Sequence, residues 1–263
     1  MSDRTDQELA RLKAQLGPVA ARFDADLLET CSSTSSVLLD RAAAGAPSGA
    51  VLWALEQTAG RGRRGRAWIA RPEASLTFSL LWRFAPGTRL AGLSLAVGLA
   101  VAQALEGLGT RGIALKWPND IWLDGRKLGG ILIELHQSGA RTAAVIGIGL
   151  NLAPPAPGDV LDQPVAGLSE SSARSTERVV VLAAVLTALA ATLDAFEQRG
   201  FAALRDAWQA RHALQDQPVR LVDDSGEAEG LCHGVDAEGA LMLERDGLLV
   251  RVLGGDVSLR RRG

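Results

Sequence analysis

The sequence predicts an α/β domain followed by a small SH3-like β-barrel, and three observations support this fold class. From residue 31 to residue 213, helical stripes of apolar residues alternate with short apolar runs typical of strands. Beyond Leu214 the runs become short and are separated by turns that contain Asp and Gly. The first 30 residues begin polar and then become helical. We therefore expect a helical extension (1–30), a larger domain (31–213) and a barrel (214–263).

The individual elements follow from the spacing of apolar residues. Leu9, Leu12 and Leu16 share one face of an N-terminal helix that ends before Gly17-Pro18. Two further helical stripes run over residues 93–108 and 182–196. Strands are predicted over residues 51–55, 76–82, 113–116, 131–135 and 143–150 in the larger domain, and over 219–222, 228–233, 240–244 and 248–253 in the barrel.

The longest apolar run, residues 179–193, has 15 residues between Arg178 and Asp194. A membrane span needs about 20 apolar residues. The large residues of this run recur at helical spacing, which is typical of a core helix. We therefore predict no transmembrane segment and no membrane partner.

Composition argues against several function classes. The net charge is −2, so the chain as a whole lacks the positive field of a nucleic-acid-binding protein. The histidines (His136, His212 and His233) are scattered, which argues against a histidine-based zinc site or a Ser-His-Asp triad. The two cysteines lie far apart and no signal peptide is recognisable, so we predict a reducing, cytoplasmic compartment.

The most unusual segment is Gly-Arg-Gly-Arg-Arg-Gly-Arg at residues 60–66, named here the glycine–arginine loop. Its glycines match G-x-G-x-x-G, but no helix start follows and no acidic residue stands near residue 82, which excludes a Rossmann motif. Four arginines so close together repel one another unless an anion lies among them. The loop therefore favours anion binding, although a charge run is more commonly a solvated surface.

A second polar cluster follows the predicted strand 113–116. Asn119 and Asp120 offer the oxygen ligands that Mg²⁺ prefers when it also binds phosphate. Lys116 and Lys127 add two cations, one before and one after the turn at residues 124–125. Taken alone, each of the dipeptides Asn119-Asp120 and Asp124-Gly125 is found more often in a polar hairpin turn than in a binding site. Together, and beside the glycine–arginine loop, they favour nucleotide chemistry.

Gly147 and Gly149 fall on one face of the predicted strand 143–150, and Asn151 ends it. Glycine within a strand marks either the close approach of a ligand or tight packing against a neighbouring element. The sequence leaves both interpretations open.

Taken together, and in their order along the chain, these motifs resemble those of the bacterial biotin protein ligase family. The resemblance extends from about residue 31 to residue 260, and it includes Ser33-Thr34 before a helix, Gln57 before the glycine–arginine loop, and the segment 254–260. It implies a mixed β-sheet catalytic domain with flanking helices, followed by the SH3-like barrel. It also implies a ligase that converts biotin and ATP to biotinyl-AMP and transfers biotin to a lysine of the biotin carboxyl carrier protein of acetyl-CoA carboxylase.

The resemblance, together with the charges, implies roles for individual residues. A carboxylate and a triphosphate are both anionic, so cations must bring them together. The expected catalytic residues are Lys127, Arg63, Asp120 and Lys116. The residues expected to contact biotin or its adenylate are Ser33, Thr34, Ser35, Gln57, Gly60, Arg61, Gly62, Arg63, Lys127 and Gly130. The residues expected on the nucleotide are Asn119, Asp120, Asn151 and Arg260, and Asn119 and Asp120 are also expected to hold Mg²⁺.

The chain departs from the family pattern at two sites. Ser35 stands where the family commonly has Asn, and residues 165–167 offer no aromatic ring to stack on adenine. Only 30 residues precede Cys31, too few for the DNA-binding domain of bifunctional members. We therefore expect a monofunctional enzyme without a nucleic-acid partner.

Two mechanistic expectations and two rival functions follow. The glycine–arginine loop is expected to close over the adenylate, because a mixed anhydride hydrolyses readily in water. Asp120 is expected to help the acceptor lysine lose its proton. One rival is a ligase or transferase for lipoate or octanoate, which needs a long apolar slot instead of partners for the ureido group. The other is a nucleic-acid-binding module, which the acidic net charge opposes.

Overall fold

The computed structural model describes residues 3–138, 141–155, 163–171, 173, 176–223, 226–253 and 258–261. The helices are α1 (Asp3–Leu16), α2 (Thr34–Ala43), α3 (Leu93–Gly107), α4 (Arg178–Arg199) and α5 (Arg205–Gln209). The first sheet contains β1 (Asp24–Cys31), β2 (Ala50–Gln57), β3 (Ser75–Phe84), β4 (Ile113–Lys116), β5 (Asp120–Leu123), β6 (Arg126–Ser138) and β7 (Arg141–Asn151). The second sheet contains β8 (Pro218–Asp223), β9 (Gly226–Val235), β10 (Leu241–Arg245), β11 (Leu248–Val252) and β12 (Ser258–Arg261).

The first sheet is mixed and has the strand order β1-β2-β3-β7-β6-β5-β4. Strands β1 and β2 are parallel, and the other neighbouring pairs are antiparallel. The five strands predicted in this region are all present, and the mixed α/β fold is confirmed. Two strands, the eight-residue β1 and the four-residue β5, escaped prediction.

Strand β1 changes the interpretation of the N-terminus. Residues 24–31 are not part of a helical extension, because they pair with β2 at the edge of the first sheet. An edge strand has one hydrogen-bonded neighbour and needs few buried apolar residues. Only Leu27 of this strand is fully buried. The apolar pattern that identifies a strand is therefore weak here.

The helices cover the two faces of the sheet unequally. On one face, α3 and α4 pack over β3, β6 and β7, and α1 adds the buried side chains Leu12 and Leu16. On the other face, α2 packs Leu38 and Ala42 against a smaller apolar patch. The remainder of this second face is available for a site.

Helix α4 is long and apolar enough to cross a membrane by length and composition, with a mean hydropathy of 2.3. However, 61% of its most apolar window is buried inside the fold. Val185, Leu186 and Leu189 are fully buried. This burial is what a core helix requires.

The second sheet is small and antiparallel, with the order β11-β10-β9-β8-β12. It agrees with the predicted C-terminal barrel, although β12 was not predicted as a strand. The two sheets share one apolar core, because Val219 and Leu241 of the second sheet belong to the same buried cluster as the first-sheet residues. Buried Trp117 donates a hydrogen bond from Nε1 to the carbonyl oxygen of Gly239, at 3.0 Å.

Candidate active site

The candidate site lies on the sheet face that α2 covers only in part. Lys116 of β4 is opposite Asp120 of β5, Asp120 is opposite Gly130 of β6, and Gly130 is opposite Gly149 of β7. Residues directly opposite each other in neighbouring strands project to the same face of a sheet. Three motifs that are distant in the sequence therefore form one row across the sheet.

An ion pair occupies the centre of this row. Lys127 Nζ lies 2.8 Å from Asp120 Oδ1, and the two side chains are only 20% and 14% exposed. A Cβ added at Gly130 would lie 3.7 Å from both of these atoms, so the glycine borders the pair directly. Lys116 Nζ lies 5.1 Å from the centroid of the Trp122 ring. The row thus contains both predicted lysines and the predicted carboxylate.

The glycine–arginine loop reaches the same row through Arg63. Its guanidinium donates a hydrogen bond to Asn119 Oδ1 at 3.0 Å, and Asn119 Nδ2 donates to the carbonyl oxygen of Ile131 at 3.0 Å. Because Asn119 directly precedes Asp120, Arg63 and Lys127 contact adjacent residues of the chain. The structure thus brings the glycine–arginine loop to the segment that contains the ion pair.

Arg61, which is expected to contact biotin, is held by two side chains of the protein. One nitrogen of its guanidinium lies 2.6 Å from Glu134 Oε1 of β6, and another donates to Ser36 Oγ of α2 at 3.2 Å. The anion beside this arginine is therefore a carboxylate of the protein. Sequence reasoning missed Glu134, since a single glutamate in an apolar strand gives no motif.

The N-terminus of α2 forms the polar end of the candidate site, the space between α2 and the row that is named the groove below. Ser33 is the N-cap of the helix, and both it and Thr34 are buried. The backbone N–H and the hydroxyl of Thr34 donate to Gln57 Oε1 at 2.7 and 3.1 Å. The three predicted biotin-contacting residues Ser33, Thr34 and Gln57 are thus brought together.

Ser79, which was not predicted, lies beneath this polar end. Its hydroxyl is 2.8 Å from that of Thr34 and 3.0 Å from that of Ser35, and Ser79 is fully buried. A Cβ at Gly147 would lie 2.5 Å from Ser35 Oγ. Ser35 therefore packs onto Gly147 and bonds within the protein, so tight packing accounts for this glycine.

Trp68 explains the second glycine of β7. A Cβ at Gly149 would lie 2.3 Å from the indole Cε2, so the ring rests directly on the sheet. The backbone N–H of Trp68 donates to the carbonyl oxygen of Gly60 at 2.9 Å, which ties the ring to the glycine–arginine loop. Its buried Nε1 has no hydrogen-bond partner among the described residues. A tryptophan two residues after the loop was the signal that sequence reasoning did not use.

The other predicted residues are placed less closely. Gly62 N–H donates to the carbonyl oxygen of Arg66 and closes the loop on itself. Asn151 ends β7, two residues beyond Gly149 and on the same face. Arg260 lies in β12 opposite Arg220, and its side chain is outside what the structure describes. Among the described residues, no group of three or more His, Cys, Asp and Glu side chains could hold a metal ion.

Comparison with known proteins agrees with this arrangement. Residues 27–151 match the biotin/lipoate A/B protein ligase family, and residues 216–260 match the biotin protein ligase C-terminal domain. The chain is 39% identical over 237 residues to the bifunctional ligase/repressor BirA of Salmonella typhimurium, which covers 89% of this chain and 73% of the relative. It is 37% identical over 228 residues to the biotin--[acetyl-CoA-carboxylase] ligase of Paracoccus denitrificans, covering 82% of this chain and 92% of the relative.

The fold of the chain is also similar to that of a solved biotin protein ligase. The biotin protein ligase of Aquifex aeolicus in complex with biotin and ATP is 27% identical, with a TM-score of 0.77 over 91% of this chain and 99% of that one. Both the catalytic and the C-terminal parts are thus represented in relatives. The chain belongs to the bacterial biotin protein ligase family.

Proposed function

We propose that this protein activates biotin with ATP and transfers it to a lysine of the biotin carboxyl carrier protein of acetyl-CoA carboxylase. One observation carries the proposal: Lys127 pairs with Asp120 in the row on the sheet face, and Arg63 of a third segment bonds Asn119, the residue next to Asp120. The names of the Paracoccus denitrificans relative, a biotin--[acetyl-CoA-carboxylase] ligase, and of the Aquifex aeolicus biotin protein ligase support the substrate class.

The first half-reaction joins two anions. A carboxylate oxygen of biotin attacks the α-phosphorus of ATP, the bond to pyrophosphate breaks, and biotinyl-AMP forms. Arg63, Lys127 and Lys116 supply positive charge where the two anions meet, and Asp120 holds the Lys127 ammonium in the row. A preorganised group of this kind contributes about 3–4 kcal/mol to transition-state stabilisation.

The polar end at α2 suits the ureido group of biotin, which has two N–H donors and one carbonyl. Thr34 already donates twice to Gln57 Oε1, so Gln57 presents its Nε2 donor to a ligand carbonyl. Ser33 and Thr34 offer hydroxyl oxygens beside it. An analogue without the ureido group would leave these buried polar groups unpaired, which is the physical basis of selectivity.

Mg²⁺ fits this site only as a partner of the nucleotide. The row contains one carboxylate, Asp120, next to the amide oxygen of Asn119, which are too few ligands for a site made by protein alone. Asp120 with Asn119 would hold the ion while triphosphate and water supply the remaining oxygens. The ion would then neutralise phosphate charge.

In the second half-reaction, the amine of the acceptor lysine attacks the acyl carbon, and AMP leaves. We propose that Asp120, the carboxylate in the row, accepts the proton that the acceptor lysine of the carrier protein loses. The glycine–arginine loop and Trp68 would cover the adenylate and exclude water. Both cysteines are free thiols, which suits a reducing cytoplasm.

The test is ATP–pyrophosphate exchange by the purified full chain with biotin, lipoate, octanoate or no acid added. We expect exchange that depends on biotin, followed by transfer of biotin to a purified carrier domain. Exchange with lipoate or octanoate and none with biotin would assign the chain to the rival acyl class. No exchange with any acid would refute an adenylating function.

A further inference from the structure

We propose that Glu134 is a positioning residue that holds the Arg61 guanidinium at the polar end of the groove. This inference rests on the proposed function and on the sequence-based expectation that Arg61 contacts biotin. It assigns a role to a residue that no sequence motif marks.

The position of Glu134 on the sheet is the first argument. In β6, Gly130 is opposite Gly149, Leu132 is opposite Gly147, and Glu134 is opposite Val145. Glu134 therefore projects to the same face as the candidate site. Four residues of strand place it about 13 Å from the centre of the row, toward the end that α2 covers.

The contacts of Arg61 are the second argument. Its guanidinium bonds Glu134 Oε1 at 2.6 Å and Ser36 Oγ at 3.2 Å, so the arginine is tied to β6 and α2 together. A guanidinium has five N–H donors in one plane. Two contacts on separate elements fix the orientation of that plane, and the other donors can then meet a ligand without further ordering.

The state of the carboxylate is the third argument. The Glu134 side chain is only 21% exposed. Its Oε2 is buried and has no hydrogen-bond partner among the residues that the structure describes. A buried oxygen without a hydrogen bond loses the solvation it has in water, which opposes folding. A carboxylate with such an oxygen contributes little to the stability of the fold. Its contact with Arg61 therefore supports a role in orienting that guanidinium.

A positioning role predicts an effect on binding more than on chemistry. The glycine–arginine loop contains three glycines and has wide conformational freedom without an anchor. Without the Glu134 carboxylate, Arg61 becomes ordered only when biotin binds. The entropy lost in that ordering weakens the affinity for biotin. We expect E134Q to raise the KM for biotin by about tenfold and to change kcat by less than about threefold.

The experiment is a double-mutant cycle of E134Q and R61Q, read out by biotin-dependent ATP–pyrophosphate exchange. If Glu134 acts through Arg61, the double variant has the same KM as R61Q alone. The matched control is Glu106→Gln, which breaks the Arg211–Glu106 ion pair of 2.7 Å away from the groove. We expect this control to leave the KM unchanged.

Two outcomes would overturn the proposal while the wild-type enzyme remains active. One is an unchanged KM for biotin in E134Q. The other is a double variant whose fold-increase in KM equals the product of the fold-increases in the two single variants. If E134Q does not fold, E134D takes its place in the cycle, because it keeps the charge and shortens the reach; we then expect a KM increase of about threefold. A wild-type protein without biotin-dependent exchange would refute the proposed function, which distinguishes the two failures.

Discussion

Substitution of Lys127 by alanine removes the cation at the centre of the candidate site. Lys127 Nζ is 2.8 Å from Asp120 Oδ1, and both side chains are mostly buried. At an effective dielectric constant of about 20, two unit charges at this distance attract by about 6 kcal/mol. Without the lysine, Asp120 would stand unpaired beside two anionic substrates and repel them.

We expect Lys127→Ala to slow biotin-dependent ATP–pyrophosphate exchange by about 10²–10³-fold, the loss typical of one preorganised charged group. The assay is run at saturating biotin and ATP, so that weaker binding does not mask the rate. The control is Arg22→Ala, which removes an arginine paired with Asp194 at 2.6 Å on the helical side of the sheet. A loss of less than tenfold in Lys127→Ala would place Lys127 outside the active site.

Three further predictions concern stability. Gly149→Ala would place a Cβ 2.3 Å from the Trp68 ring and should lower the free energy of unfolding by about 1–3 kcal/mol. Urea unfolding should show that this loss disappears when the same substitution is made in a Trp68→Ala background. An equal loss in that background would refute the contact. Trp117→Phe loses the buried hydrogen bond to Gly239 and should lower the free energy of unfolding by about 1–3 kcal/mol; an unchanged urea midpoint would contradict it. Burial lowers the pKa of His212 to about 4. The unfolded chain therefore binds the extra proton, so stability should fall by about 3 kcal/mol as pH drops from about 6.5 to about 4. His212→Phe should remove that part of the pH dependence, and an unaltered pH profile would refute it.

The recognisable elements were those with strong apolar periodicity. Strands β2, β3 and β7 and helices α3 and α4 bury most of their apolar side chains, so their patterns are clear in the sequence. The edge strand β1 and the four-residue strand β5 are stabilised mainly by pairing with neighbours. Pairing between strands leaves no local pattern, which is why both were missed.

The candidate site divides in the same way. Its charged residues stand in compact motifs, and their chemistry favoured anion binding and nucleotide chemistry, while the family resemblance implied activation of a carboxylate. The partners of these residues stand elsewhere: Arg61 and Glu134 are 73 positions apart, and Ser35 and Ser79 are 44 apart. Either residue of such a pair is unremarkable in its own segment.

By itself, the sequence determined the fold class, the family resemblance and the chemical character of the site, because periodicity and motifs are local properties of the chain. Only the tertiary structure decided that Trp68 rests on Gly149, that Ser79 supports Thr34 and Ser35, and that Glu134 holds Arg61. The physical reason is that these contacts depend on strand order and register. The packing of the whole sheet sets both, and the spacing of residues within one segment does not.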